Sequence, residues 1–480
     1  MAEYRLDLIL PELYQVSIVF VLFACSLAGR RWKLFLRPFL TPWMPWLAGF
    51  GILVALYSLD SEGTIFLGAY CLDPLSQFFK VAVALGFTFA VLNATRQPTL
   101  DQDKHSDYFM FLALSALGLM LLASSVELIT IYLAMELASY SLYSLIPLRS
   151  QERQAAEAGI KYILFGAVAT ALSLYGLSYI TASQHTTYLK DLALSDWSWA
   201  REPMAVIGLS LFFAGFFYKL ALFPFHFWAP DVYQGASNET ATYVSTLPKL
   251  GAVAILIRLT ALIKPETELT TILAVLAAAS MTYGNLAALV QKDVKRILGY
   301  STVAHAGYVL VGLVAVTKQG LAAAGFYVLA YILMNLTCFW VICRVAADGR
   351  NLELEDLNGL HRRSPGLALA LAVGAFALVG LPPTAGFMGK LFLLTAAWNQ
   401  GYNWLIILAA VNTAISLFYY LSMVLHAYTK DEPEVPPAHQ AEPGFSMFWG
   451  AVLAVLVLLL GVIPGPVFDL AMKASSYILP

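Results

Sequence analysis

Lys219 lies near the middle of a predicted membrane span, and Pro224 and Pro230 interrupt this span directly after it. An ammonium group in hydrocarbon costs several kcal/mol, so it requires a partner or a water-filled cavity. Non-helical backbone at membrane depth is tolerated only where protein or trapped water surrounds it. A buried lysine that can exchange its proton beside a hydrated helix break is suited to proton transfer. The feature therefore indicates ion translocation.

A carboxylate in another predicted span could partner this lysine. Glu136 lies about ten residues into its helix, which places it near mid-bilayer at roughly 1.5 Å of rise per residue. A lone carboxylate there would take up a proton, whereas a lysine partner would keep it ionised. We therefore expect Glu136 and Lys219 to form a couple, with a static structural ion pair as the alternative.

Two further polar residues lie inside later spans. Lys249 directly follows Pro248, which frees a backbone carbonyl one turn earlier that can hold water. The alternative is a lysine whose charged end reaches the membrane interface. His305 can accept and donate protons near neutral pH, and its alternative role is that of a satisfied core histidine. The hydroxyl groups expected around His305 belong to Ser301, Thr302 and Tyr308.

Lys390 repeats the arrangement around Lys219 in the second half of the chain. It follows a break at Pro382 and Pro383, where tandem prolines remove backbone donors and interrupt the helix. Two broken spans, each with a mid-membrane lysine nearby, indicate a function more strongly than one such span. Three other charged residues lie nearer predicted helix ends, and their charged groups are expected to reach the interface: Lys80, Glu127 and Arg258.

Membrane helices must position these residues, because the chain is too apolar for a water-soluble protein. It has 480 residues, of which 60% are hydrophobic and 12% charged, whereas soluble domains carry about 25% charged residues. Apolar runs long enough to span a bilayer recur along the chain with short polar connections. About fourteen spans are predicted, at 11–29, 42–59, 74–94, 108–124, 126–147, 158–182, 204–223, 240–263, 269–289, 296–315, 320–344, 366–399, 404–427 and 446–464.

The predicted fold is an all-α polytopic membrane protein with two internal inverted repeats. Paired broken helices at corresponding positions of two halves are typical of inverted repeats with a site near the bilayer midplane. The divisions we predict are three N-terminal helices at 1–107, repeats at 108–263 and 269–427, and a linker with the last helix at 428–480. Four polar groups should then lie in one row near the midplane: Lys219, Lys249, His305 and Lys390.

Composition and motifs exclude several classes of function. The net charge of −2 indicates no nucleic-acid partner. The four cysteines form no CxxC pair, so we expect no disulfide framework, iron–sulfur cluster or zinc site. The chain has no phosphate-binding glycine loop, dinucleotide fingerprint or hydrolytic triad. We therefore expect no redox catalysis, bound cofactor or metal in this chain, and the driving energy must come from a partner or an ion gradient.

Lysine and arginine are concentrated in the predicted loops on one side of the membrane, as at Arg30, Arg31, Arg362 and Arg363. Cytoplasmic loops carry an excess of basic residues. Both termini are therefore predicted to lie outside the cytoplasm. The acidic, proline-rich segment 431–442 is then predicted to be a cytoplasmic loop.

Two segments carry specific motifs: Phe225-His-Phe-Trp-Ala-Pro-Asp-Val-Tyr-Gln-Gly-Ala236 and Lys295-Arg-Ile-Leu-Gly-Tyr-Ser-Thr-Val-Ala-His305-Ala-Gly-Tyr308. With these segments, nearly the whole chain resembles the antiporter-like subunit N family (also called subunit 2) of respiratory complex I, the proton-pumping NADH:quinone oxidoreductase. The sister subunits L and M usually differ after the shared Trp228. Two positions depart from the family pattern: Ser237 stands where proline is frequent, and Glu127 where aspartate or a neutral residue is common.

The resemblance implies fourteen transmembrane helices in two inverted five-helix repeats, with the seventh and twelfth helices broken. It implies a non-redox translocase subunit whose proton relay uses Glu136, Lys219, Lys249, His305 and Lys390. FMN, iron–sulfur clusters and quinone would belong to partner subunits. The implied partners are membrane subunits of the A, H, J, K, L and M types and the peripheral redox arm, in a bacterial inner (plasma) membrane.

Two alternatives to a complex I subunit stay open. A subunit of an Mrp-type cation/proton antiporter or of a membrane-bound hydrogenase would share the fold, and the segment after Trp228 favours complex I over both. A passive structural subunit would need no buried charges, and the charges inside the spans disfavour it. The resemblance does not determine the electron donor (NADH, ferredoxin or F420), the quinone type, or whether H⁺ or Na⁺ moves.

Overall fold

The computed structural model describes residues 6–150, 152–195, 197–265, 267–398, 400–429 and 443–478. Within these ranges the chain forms nineteen α-helices. In chain order they are α1 (Leu10–Leu27), α2 (Arg30–Tyr57), α3 (Pro74–Ala94), α4 (His105–Ser124), α5 (Leu128–Leu145), α6 (Arg153–Gln184), α7 (Leu189–Leu192), α8 (Pro203–Leu220), α9 (Trp228–Gly235), α10 (Asn238–Thr260), α11 (Glu268–Leu289), α12 (Val294–Val314), α13 (Lys318–Val345), α14 (Leu360–Arg363), α15 (Pro365–Val379), α16 (Ala385–Ala397), α17 (Asn403–Tyr428), α18 (Pro443–Val462) and α19 (Gly465–Ile478).

The remaining regular elements are short. Strands β1 (Gly63–Ile65) and β2 (Tyr70–Leu72) form an antiparallel hairpin between α2 and α3, with Gly63 opposite Leu72. Turns of 3₁₀-helix occur at Leu6–Ile9, Phe66–Gly68, Gln102–Lys104, Ile146–Leu148 and Leu354–Leu357. The hairpin was not predicted, but it is too small to change the class of the fold. The prediction of an all-α polytopic membrane protein is confirmed.

Thirteen helices in the described ranges are long and apolar enough to cross a membrane: α1 to α6, α8, α10 to α13, α17 and α18. The shorter apolar helices α15 and α16 follow one another at the predicted span 366–399. The C-terminal helix α19 was not predicted as an element, and the predicted cytoplasmic loop at 431–442 falls outside the described residues. The division of the chain into inverted repeats stays a prediction.

The two broken spans end with the same local geometry. Ala221 after α8 and Gly380 after α15 both have left-handed backbone, with φ of 60° and 90°. In each break the next N–H donates to a carbonyl one turn back, from Leu222 to Phe217 at 2.8 Å and from Leu381 to Phe376 at 3.0 Å. A left-handed residue satisfies the last carbonyls of a helix, and the prolines that follow cannot continue it. Both predicted breaks are therefore present.

α10 lies at the centre of the bundle and is buried along its whole length. Helices α3, α12 and α13 are almost as fully buried, whereas α2, α6 and α17 expose apolar side chains along most of their length. A helix that is apolar on all sides needs neighbours or lipid around it. Lys249 on α10 and His305 on α12 are therefore carried by helices that other helices shield from lipid.

Small residues bring the helices that carry polar groups close together. A Cβ atom on Gly118 of α4 would lie 2.6 Å from the backbone nitrogen of Ala138 in α5. A Cβ atom on Gly284 of α11 would lie 2.6 Å from the nitrogen of Ala304 in α12. Such close backbone approach is typical of helix packing in membranes. It fixes α5 and α12, which carry two of the predicted relay residues.

Lys80 and Arg258 are buried, so the prediction that their charged groups reach the interface is wrong. The Lys80 ammonium lies 2.6 Å from a carboxylate oxygen of Glu12, and its side chain is 0% exposed. The Arg258 guanidinium donates to both carboxylate oxygens of Asp73 at 2.7 and 2.9 Å. Each cation has an opposite charge from a distant helix or loop, so it does not need water.

The prediction that the charged group of Glu127 reaches the interface is also wrong. Its carboxylate accepts a hydrogen bond at 2.7 Å from the backbone N–H of Thr130 and therefore caps the N-terminus of α5. A carboxylate at a helix N-terminus stabilises the unpaired N–H groups there. Its position near a helix end follows from this cap rather than from contact with the interface.

The buried pair gives a first prediction. Arg258→Met should leave Asp73 charged and unpaired in the protein interior and lower the free energy of unfolding by about 3–5 kcal/mol. We expect a lower thermal midpoint of the solubilised complex. Removing both charges with Asp73→Asn in the same chain should restore part of the loss, because the cost comes from the unpaired carboxylate.

Arg350 provides the matched control, since its pair with Asp356 at 2.9 Å is 38% exposed on the arginine side. Arg350→Met should change stability by only about 0–1 kcal/mol. A double variant of the buried pair that is less stable than Arg258→Met alone would contradict this account.

Candidate functional site

Lys219 lies in the last turn of α8, directly before the break, and is 7% exposed. Its ammonium nitrogen lies 5.4 Å from the ring centre of Tyr162 and 5.2 Å from that of Tyr218. It also donates to the Tyr162 hydroxyl at 3.4 Å. Aromatic faces attract a cation without a counter-charge. The lysine is thus held by polarisable groups rather than by an ion pair.

Glu136 lies on α5 and is 5% exposed. Its carboxylate accepts a hydrogen bond from the Thr170 hydroxyl at 2.8 Å. Glu136 and Lys219 interact electrostatically, but within the described residues their charged groups form no direct ion pair. A cavity of about 10 Å³ lies beside Lys219 and Pro248, close to the volume that one water molecule requires. The static ion pair considered from the sequence is therefore not formed.

Lys249 lies on α10 and is 3% exposed, so its charge does not reach the interface. Pro248 cannot donate to the carbonyl of Val244, four residues earlier. The Lys249 ammonium donates to that carbonyl at 3.3 Å. The freed carbonyl expected to hold water is thus bound by the neighbouring lysine itself.

Aromatic rings connect Lys219 with Lys249. The Lys249 ammonium lies 5.7 Å from the ring centre of Trp228 and 5.8 Å from that of Tyr233. Trp228 in turn packs against Tyr162, with ring centres 4.9 Å apart. The two lysines interact electrostatically. Trp228, from the first sequence motif, therefore gives Lys249 an aromatic face and packs against Tyr162, the ring that faces Lys219.

Hydroxyl groups lead from Lys249 towards His305. The Tyr233 hydroxyl lies 3.3 Å from the Thr302 hydroxyl, which lies 2.7 Å from the Tyr331 hydroxyl. The Tyr331 ring packs against His305 with centres 5.1 Å apart. Hydroxyls can donate and accept at once, so they can pass a proton between fixed groups.

His305 is hydrogen-bonded at both ring nitrogens. Its Nδ1 lies 2.7 Å from the Tyr327 hydroxyl, and its Nε2 lies 3.1 Å from the Tyr420 hydroxyl. Of the three hydroxyls expected here, those of Ser301 and Thr302 each donate to the Leu298 carbonyl within α12. The third, on Tyr308, donates to a carbonyl of α17. The partners are thus tyrosines of other helices.

Lys390 lies on α16, after the second break, and is 5% exposed. Its ammonium donates at 2.8 Å to the Val379 carbonyl, at the negative end of the α15 dipole. It lies 4.3 Å from the ring centre of Tyr308 and 3.4 Å from the Thr413 hydroxyl. The Tyr308 and Thr413 hydroxyls lie 2.8 Å apart. Lys390 and His305 also interact electrostatically.

All five residues selected from the sequence are buried, and polar or aromatic groups connect Lys219, Lys249, His305 and Lys390. Sequence reasoning missed the connecting residues: Tyr162, Trp228, Tyr233, Thr302, Tyr327, Tyr331, Thr413 and Tyr420. One signal was present, because Tyr327 and Tyr331 are four residues apart and therefore share a face of α13. The arrangement can hold protons at a series of buried sites and exchange them through hydroxyls and water.

Comparison with known proteins identifies the family of the chain. A family model described as "NADH:quinone oxidoreductase/Mrp antiporter, TM" matches residues 125–416. A relative from Solidesulfovibrio magneticus, named NADH-quinone oxidoreductase subunit N 2, is 60% identical over 472 residues, covering 98% of this chain and 99% of the relative. Another subunit N 2, from Opitutus terrae, is 45% identical and covers 87% of this chain and 88% of its own.

Solved structures share the fold. A chain of respiratory complex I from Thermus thermophilus superposes with a TM-score of 0.81 at 32% identity, covering 97% of this chain and 99% of that one. A chain of the Mrp complex from Dietzia superposes with a TM-score of 0.85 at 19% identity, covering 100% and 98%. The second likeness shows the fold alone. The chain therefore belongs to the NADH:quinone oxidoreductase/Mrp antiporter family of membrane proteins, and within it to the subunit N family of NADH-quinone oxidoreductase.

Proposed function

We propose that this chain is a proton-translocating, non-redox subunit of NADH:quinone oxidoreductase, and that its protons move through Glu136, Lys219, Lys249, His305 and Lys390. The observation that supports this most strongly is the series of hydrogen bonds and ring contacts from Lys249 to Lys390. It crosses α10, α12, α13, α16 and α17 without leaving the protein interior. Buried ionisable groups are costly in a membrane, so a connected series of them indicates a function.

The first part of the path joins Glu136 to Lys219. Their charges interact without a direct ion pair among the described residues, and the cavity of about 10 Å³ borders Lys219 but not Glu136. A proton that passes between carboxylate and amine therefore needs bridging water, since gaps wider than about 3.5 Å require it. Tyr162 and Trp228 stabilise the ammonium forms on both sides of the next step.

The second part leads from Lys249 to His305 through Tyr233, Thr302 and Tyr331. Each hydroxyl accepts a proton on one side and releases one on the other, so no hydroxyl needs to become charged for long. His305 then receives the proton between two tyrosine hydroxyls. The neutral imidazole suits this position because it can donate with one nitrogen and accept with the other.

The last part leads from His305 past Tyr308 and Thr413 to Lys390. We infer that protons enter from the cytoplasmic side by the repeat at 108–263 and leave by the repeat at 269–427. Both termini would lie outside the cytoplasm, in a bacterial inner membrane. FMN, iron–sulfur clusters and quinone would belong to partner subunits, so electron transfer in those subunits would drive the relay.

Lys219→Ala should lower proton pumping at least roughly tenfold, because positioned proton-transfer groups contribute factors of about 10²–10⁴. Acidification of inverted membrane vesicles driven by NADH measures pumping. Lys318→Ala is the control, since Lys318 is an exposed lysine at the start of α13, and it should pump normally. Normal pumping by a fully assembled Lys219→Ala complex would refute the relay. Acidification that follows a Na⁺ gradient without an electron donor would instead indicate cation/proton exchange.

Replacing Glu136 tests the first step separately. Glu136→Gln keeps the hydrogen bond from Thr170 but removes the charge that interacts with Lys219. Pumping should fall severalfold, and Glu136→Asp should be milder because it keeps the carboxylate. Equal pumping rates for the Gln and Asp variants in the same vesicle assay would show that the charge plays no part.

Tyr331→Phe tests the crossing between the two halves. It removes the hydroxyl 2.7 Å from Thr302 but keeps the ring that packs against His305. We expect a severalfold decrease in pumping with unchanged assembly. Tyr175→Phe is the matched control, because Tyr175 is exposed on α6 and, among the described residues, its hydroxyl bonds to Tyr179 of the same helix. A Tyr331→Phe complex that pumps as fast as the Tyr175→Phe complex would exclude this crossing.

A further inference from the structure

Glu239 is a buried carboxylate that the relay does not use. It lies in the first turn of α10 and is 2% exposed. Within the described part of the chain, its Oε2 atom has no hydrogen-bond partner. A buried carboxylate oxygen without a partner is costly, so the position of Glu239 requires an explanation.

Three buried cations surround this carboxylate without touching it. Arg149, Lys295 and Arg344 interact electrostatically with Glu239, but none forms an ion pair with it among the described residues. Lys295 donates to the Ala236 carbonyl at 2.9 Å, and Arg149 is hydrogen-bonded to backbone and amide oxygens of the loop before α14. These two cations are held by other acceptors and leave the carboxylate free to exchange a proton.

Arg344 supplies unused donors to the same region. Its guanidinium stacks 3.9 Å from the ring centre of Trp340, and its Nε and Nη1 atoms have no partner among the described residues. The Oδ1 atom of Asn238 and the Oε1 atom of Gln97 are also buried and unpaired at this end of α10. Buried polar atoms in such numbers are normally satisfied by ordered water. The region around Glu239 therefore fits a small group of water molecules.

The other charged or titratable groups that interact with Glu239 belong to two neighbouring helices. Tyr108 of α4 bonds to the Thr240 hydroxyl at 3.2 Å, and Cys343 of α13 receives a hydrogen bond from Asn93 at 3.0 Å. Neither side chain offers a second carboxylate. The site thus contains one carboxylate and three basic groups.

A polar stripe leads from this site towards the relay along α10. Glu239, Thr242, Thr246 and Lys249 follow one another at spacings of three, four and three residues, which places them on one face of a helix. Thr242 accepts a hydrogen bond from Asn93 of α3 at 3.0 Å. The stripe therefore runs from the end of the bundle to a lysine of the relay.

A second stripe faces it on α13. Asn335, Tyr331 and Tyr327 follow one another at spacings of four residues and share a face of this helix, and the Tyr331 hydroxyl donates to the Ser245 carbonyl of α10 at 3.4 Å. Asn335 is completely buried and its side chain interacts with Tyr331, but among the described residues neither its Oδ1 nor its Nδ2 atom makes a hydrogen bond of normal geometry. An amide in this state, one turn from Tyr331, marks a place where water completes the hydrogen bonds.

We propose that Glu239 is a proton-loading site and that the polar interface between α10 and α13 carries protons from it past Asn335 to Tyr331. This entrance is separate from Glu136 and rests on the proposed function of the relay. The Glu239 carboxylate takes a proton from water at the N-terminal end of α10 and releases it to water along the polar face of α10. Arg149, Lys295 and Arg344 return the carboxylate to its charged form, so the site is emptied before the next proton arrives.

Infrared titration of the assembled complex tests the site without requiring pumping. A protonated Glu239 gives a carboxyl C=O stretching band that shifts in D₂O and appears as the pH is lowered. Glu239→Gln should lose this band, and Glu239→Asp should keep a shifted band. Glu355→Gln is the matched control, since Glu355 is an exposed carboxylate in the loop before α14, and it should leave the band unchanged. A band that survives Glu239→Gln would overturn the site.

Vesicle pumping tests the path. Asn335→Leu removes two buried polar atoms that lack hydrogen bonds, so the fold should be kept. The substitution should, however, interrupt the proposed chain of water molecules between α10 and α13. We expect loss of pumping in Asn335→Leu and Glu239→Gln, with rescue by Glu239→Asp. Normal pumping in Asn335→Leu and Glu239→Gln would overturn the entrance, whereas normal pumping in Lys219→Ala would refute the relay. The two failures are therefore distinguishable.

Discussion

Every charge inside this bundle must be satisfied by the protein, because hydrocarbon offers neither water nor counter-ions. The structure meets this constraint in two ways. Lys80 and Arg258 contact opposite charges, which fixes them. Lys219, Lys249 and Lys390 instead meet carbonyls, hydroxyls and aromatic faces. A cation held by dipoles alone can lose its proton without leaving an unpaired anion behind, whereas a cation in an ion pair cannot.

The prolines that disturb the helices also create the binding groups. Pro248 leaves the Val244 carbonyl without its usual donor, and the adjacent lysine takes it. The break after α15 exposes the Val379 carbonyl, which Lys390 takes. In both cases one local interruption of the helix provides the acceptor that makes a buried ammonium tolerable. The helix break thus supplies the acceptor on which the buried charge depends.

Much of this could be predicted because a charged residue in an apolar run is conspicuous. The spans, both breaks and the burial of the five residues selected as a proposed relay follow from local sequence. Contacts between distant segments do not: Asp73 and Arg258 are 185 residues apart, and nothing local shows that they meet. The chain has 25 tyrosines, and only packing decides that Tyr331 and Tyr420 face His305. The helix α19 was missed because an amphipathic segment lacks the continuous apolar run of a span.

The two lysines beside the breaks are held differently. Lys390 is anchored by the carbonyl at the end of α15, which is directional and cannot move unless that helix unwinds. Lys219 rests against the faces of Tyr162 and Tyr218, an attraction that tolerates sliding over the ring. The Lys390 ammonium is consequently held by a short directional bond, whereas the Lys219 ammonium is held by ring faces and one long hydrogen bond, at 3.4 Å, to the Tyr162 hydroxyl. Thermal motion can therefore displace the Lys219 ammonium further than the Lys390 ammonium. The displacement of Lys219 then sets the distance over which a charge can be transferred.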